Sequence, residues 1–65
     1  MKKFDRNEAD LITRTTLLKL EKLDMTITAL NKDIEVNYCN LTRVLNGTLI
    51  NNKILKKLDE WNRTH

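Results

Sequence analysis

Proline is absent from this 65-residue chain, and glycine and cysteine occur once each. So little turn chemistry suits three to five helices joined by short connections, and suits a sheet poorly. A lone cysteine, Cys39, closes no intramolecular disulfide, in keeping with a reducing compartment. Apolar residues never run longer than two in succession, so neither a transmembrane span nor a signal-peptide core is present, and a cytoplasmic location away from membranes is expected. The single histidine is His65, the last residue. No His-based triad, Cys/His metal site or glycine-rich phosphate loop can be assembled, so no enzyme, metal or cofactor is expected. Three sequons, at Asn40, Asn46 and Asn62, are read as chance products of an Asn- and Thr-rich chain.

What is present is a globular composition, 40% hydrophobic and 32% charged. It is expected to form a single domain over residues 1–65, near the lower size at which a core alone supports a fold. The net charge of +3 permits a polyanionic partner without demanding one. Its distribution says more. Residues 1–25 carry six basic and five acidic groups, residues 26–50 two and two, and residues 51–65 four and two.

Helical periodicity divides the chain. Asn7 reads as an N-cap with acidic residues behind it, which predicts a first helix from Glu8 to Leu23. Ile12, Thr16, Leu20 and Leu23 form its inward stripe, broadened by Leu17, although Thr13, Thr15 and Thr16 are mediocre helix formers. Thr26 can cap a second helix, and Met25 before it is read as a core residue. Near the C-terminus, Asn51 or Asn52 can cap a last helix in which Ile54, Leu55, Leu58 and Trp61 share a face. That face closes the monomer core, forms in part a dimer seam with Leu58 and Trp61 as anchors, since aromatic residues are enriched in interface hot spots, or does both at once.

The segment TITALNKDIEVNYCNLTRVLNG, residues 26–47, is the most specific. Leu30 and Ile34 on one short helix, and Leu41, Val44 and Leu45 on the next, can share a core. Val36 is the only apolar residue of the turn between them, Asn37 is a favoured N-cap and Asn46-Gly47 a favoured helix end, so the second of the pair starts near Tyr38. Stepping 100° per residue places Cys39, Arg43 and Asn46 opposite its apolar side, with Thr42 beside them and Tyr38 on a flank.

This segment resembles the helix-turn-helix of the Xre family, which includes the lambda-type phage repressors and Cro proteins. The likeness lies in Thr26, Leu30, Ile34, Val36, Leu41, Thr42, Arg43, Val44, Asn46 and Gly47, aligned without a gap. It implies an all-α, four- to five-helix, lambda repressor-like domain that binds double-stranded DNA, as a homodimer on a two-fold operator, to regulate transcription. Members commonly dimerise through residues C-terminal to this motif. By carry-over, Tyr38, Cys39, Thr42 and Arg43 would meet base edges, and Arg43 suits guanine O6 and N7 because its planar fork donates two parallel hydrogen bonds. Thr26, Thr28, Asn46, Thr48 and Lys53 would contact phosphate, with Lys56 and Lys57 as further candidates; these lysines otherwise form a solvated helix face. Cys39 is read as a partly buried small residue, a contact to a thymine methyl or, least of all, a redox switch.

Three positions depart from the family pattern. Ile27 stands where many members carry a polar phosphate contact, Asn31 where they carry a small alanine between the packed helices, and Glu35 where they carry glycine. Ile27, Glu35 and the neutrality of the motif support an alternative, a protein-interaction module such as an antirepressor or a modulator of another regulator. Helical structural and recombination accessory proteins are further readings.

Overall fold

Each helix of the chain starts on a side chain that takes up an otherwise unpaired backbone amide. In a computed structural model that describes residues 3–65, the elements run α1 (Arg6–Lys22), α2 (Ile27–Ile34), α3 (Tyr38–Leu45) and α4 (Asn52–Thr64). The N-caps are Asp5, Thr26, Asn37 and Asn51. Their side-chain oxygens accept from the amides of Glu8, Ala29, Asn40 and Ile54 at 2.7, 3.1, 3.1 and 3.1 Å. No helix among the described residues is long and apolar enough to cross a membrane.

The helix ends are equally local. After α3, the amides of Gly47 and Thr48 return to the carbonyls of Val44 and Arg43 at 3.1 and 3.0 Å, while Gly47 takes a left-handed φ of 81°. This is the paired closure that favours glycine just past a helix. The end of α1 has the same wiring, with the amides of Asp24 and Met25 bonded to Glu21 and Leu20, but there Asp24 supplies the positive φ of 54°. Glu35 ends α2 at φ 53° and ψ 60°. A Cβ in that region meets its own carbonyl, a strain of about 1–2 kcal/mol, part of which glycine returns as extra freedom of the unfolded chain. Glu35→Gly is therefore expected to raise stability by about 0.5–1 kcal/mol, read as a Tm higher by a few degrees. A lower Tm would contradict it.

The core lies where the four helices meet. Leu30, Leu41, Val44, Leu55 and Leu58 are almost wholly buried, joined by Ala9, Ile12, Leu20, Ile34, Leu45, Ile54 and Trp61, with Phe4, Met25, Ile27, Val36 and Leu49 packed at its margin. Helix α1 packs mainly on α4. Between them the Thr16 hydroxyl, fully buried, donates to the carbonyl of Ile12 at 2.8 Å and accepts from Asn62 Nδ2 at 3.0 Å. The Thr13 hydroxyl likewise donates to the Asp10 carbonyl at 3.0 Å. Two threonines can thus sit in the core without stranding a polar group, and α1 runs unbroken despite their low helix propensity.

The first helix corrects the sequence reading in two respects. It begins at Arg6 on Asp5 rather than at Glu8 on Asn7. The Phe4 amide donates to Asn52 Oδ1 at 3.0 Å, which ties the entry to α4 two residues earlier than charge pattern alone suggests. Its inward face also includes Ala9 and Thr13, whereas Leu17 and Leu23 are exposed. Leu17 lies one residue, or 100°, past the buried Thr16, and Leu23 is already the C-cap.

Candidate nucleic-acid interface

Helix α3 has two unlike sides. Leu41, Val44 and Leu45 are buried, and the spacing that turns them inward turns Cys39 and Arg43 outward. Both of those, with Tyr38, are exposed, and Thr42 is half-buried beside them. These four expected base-contact residues therefore share one solvent-facing side of one short helix. Of the three readings of Cys39, partial burial as a small core residue is excluded by its exposure.

Hydrogen bonding limits what each side chain can offer. The Thr42 hydroxyl donates to the Cys39 carbonyl at 2.8 Å, so its oxygen remains as an acceptor. Among the described residues the side-chain ion pair is Arg63 with Asp59 at 3.1 Å; the Arg43 guanidinium has no carboxylate partner there, and its five donors face solvent. Exposure and planarity together suit it to a bidentate acceptor pair.

The expected phosphate-contact residues are spread over three elements. Thr26 caps α2 by accepting from the Ala29 amide at 3.1 Å, which leaves its hydroxyl proton free to donate, and Thr28 is exposed within the first turn. Asn46 and Thr48 are exposed beyond α3, but the Thr48 hydroxyl donates to the Arg43 carbonyl at 3.1 Å. Lys53 and Lys56 are exposed on α4. Lys57 is not a free cation: its ammonium donates to the Ile34 carbonyl at 3.0 Å, placing a positive charge at the C-terminal, negative end of α2.

No family model, curated protein or solved structure matches this chain.

Of the three positions that depart from the Xre pattern, one acquires a local explanation. Ile27 packs against the core margin, so an apolar residue stands there to be buried. Asn31 is half-buried, and its Oδ1 is the buried side-chain oxygen without a hydrogen-bond partner among the described residues. Glu35 is exposed in the turn before α3 and holds a negative charge beside the helix that carries Arg43.

Leu58 and Trp61, the proposed dimer anchors, face the other way. They are 0% and 5% exposed, and the Trp61 indole nitrogen lies 3.4 Å from Asp33 Oδ2. Of the two roles open to this face, closing the monomer core is the one it performs. A second copy would have almost no surface of either side chain left to bury. Sequence reasoning missed the bonds that fasten α4, namely Lys57 to Ile34 and Asn62 to Thr16, because each joins residues far apart in the chain.

Proposed function

We propose that this protein is a sequence-specific DNA-binding transcriptional regulator of the repressor/Cro kind. In this reading α2 and α3 act as a helix-turn-helix, and two copies place their α3 helices in successive major grooves of a two-fold operator. The observation that carries it is the two-sidedness of α3: its inner side is consumed by the core, while Tyr38, Cys39, Thr42 and Arg43 form an outer side that the fold does not use. Eight residues make a helix about 12 Å long, short enough to enter a groove about 12 Å wide with its polar side against the base edges.

The roles follow from chemistry. Arg43 reads guanine through O6 and N7, Tyr38 and Thr42 contribute hydroxyl or apolar contacts, and Cys39 meets a thymine methyl. Thr26, Thr28, Asn46 and Lys53 hold the backbone, with Lys56 as an additional cation, whereas the Thr48 hydroxyl has its one proton committed to the Arg43 carbonyl. Because residues 26–50 carry no net charge, one copy neutralises few phosphates and binds weakly; useful affinity comes from a second copy and from α4.

A second reading, a protein-interaction module that binds another regulator, is favoured by one feature, the exposed carboxylate of Glu35 at the turn. Titrating the protein against its own upstream DNA and a scrambled duplex at several salt concentrations separates the two. A regulator gives a preferred site and an affinity that falls steeply with salt. Equal, weak binding to both duplexes would sink the DNA reading and leave the interaction module.

A further inference from the structure

The core uses only one side of α1. Ala9, Ile12, Thr13, Thr16 and Leu20 are buried there, and 100° steps put Leu11 and Leu18 almost diametrically opposite, flanked by Arg14, Thr15 and Lys22. Leu11 is 67% and Leu18 is 61% exposed, the two highest values among the large hydrophobics of the described residues. A single exposed leucine needs no explanation. Two of them, two turns apart on the face turned away from the core, have the spacing that pairs helices along a seam.

Charge indicates what covers that seam. Glu8 stands in the first turn of α1, and Lys19 and Lys22 in the last. A second α1 laid antiparallel, about a two-fold axis level with Arg14 and Thr15, sets Leu11 against Leu18 of the other copy. It also brings Glu8 of one copy over Lys19 and Lys22 of the other and opposes the two helix dipoles favourably. A parallel arrangement would set like charges abreast.

We propose that the Leu11 and Leu18 face of α1 is a self-association surface, taken up antiparallel by α1 of a second copy. Seventeen helical residues extend about 25 Å, and two such faces, each about 10 Å wide, bury on the order of 500 Å². That is below the roughly 1,200 Å² of a stable interface, so the pairing is weak and transient in free solution. It deepens the DNA-binding reading, which calls for two copies and now has a surface for them other than Leu58 and Trp61. Its test contains no DNA, so either can fail alone.

Sedimentation equilibrium of the full chain up to about 1 mM, a concentration at which even millimolar affinities register, is expected to show a mass rising from 7.7 kDa toward twice that value. Leu11→Glu and Leu18→Glu should each hold it at the monomer mass, with circular dichroism confirming that the helices remain. Cross-linking tests the direction independently of those variants. In a Cys39→Ser background, with oxidised glutathione as oxidant, Thr15→Cys should link to itself near the axis. Leu11→Cys and Leu18→Cys should link to each other in a mixture far faster than either links alone. A monomer at every concentration, association undiminished in Leu18→Glu, or preferential self-linking of Leu11→Cys would each overturn the proposal.

Discussion

Truncating Trp61 to alanine is expected to cost about 3–5 kcal/mol, comparable to the whole stability of about 3–10 kcal/mol that a domain of this length holds. The indole is 5% exposed, stacks on the His65 ring at a centroid distance of 4.3 Å and lies on the apolar side of α4 with Ile54, Leu55 and Leu58. Removing it opens a cavity beside residues that cannot collapse far, because α4 is also pinned by Lys57 to Ile34 and by Asn62 to Thr16. Thermal unfolding followed by circular dichroism should show a Tm lower by about 15–30 °C, or no cooperative transition at all. The same measurement separates core from seam. A core residue lowers Tm equally at all protein concentrations, whereas a dimer anchor matters only where the dimer forms. A loss that vanishes on dilution would return Trp61 to an interface.

That contrast marks the limit of what was legible in the sequence. Spacing and caps place the residues of α2 and α3, and their starts at Thr26 and Asn37 and the closure at Gly47 lie where expected. Every interaction that sets those bounds spans only a few residues. Helix α1 is less legible: its stripe includes Thr16 but passes over Thr13, yet both are buried with their hydroxyls returned to the preceding turn. Leu17 reads as inward by its apolarity alone; which edge of a stripe α4 covers depends on a partner far along the chain, as does the bond from Asn62 to Thr16, 46 residues apart. For the same reason spacing recognised the apolar side of α4 but left its role open between core and seam. The candidate interface was legible where its residues share α3. Lys53, Lys56 and Lys57 looked alike as a run of cations, and only the fold distinguishes the one held on the Ile34 carbonyl.

On DNA, Arg43→Ala is expected to weaken binding to the preferred site by about 1–3 kcal/mol, roughly 5- to 150-fold, and to relax preference at one base pair. Stability should change by no more than about 0.5 kcal/mol, because the side chain is exposed and pairs with no carboxylate among the described residues. Two companion variants assign the loss to a chemical cause. Arg43→Lys keeps the charge but not the planar fork, so the salt slope should persist while discrimination falls. Lys53→Ala removes a cation from the first turn of α4, so affinity should drop alike on preferred and scrambled duplexes and the slope should become shallower by about one unit. Competition binding against duplexes varied one base pair at a time measures all three. If Arg43→Ala retains the parent's base preferences, the guanidinium does not read the groove. If Arg43→Lys retains full discrimination, Arg43 acts through charge alone, and the specificity must come from Tyr38, Cys39 or Thr42 on the same side of α3.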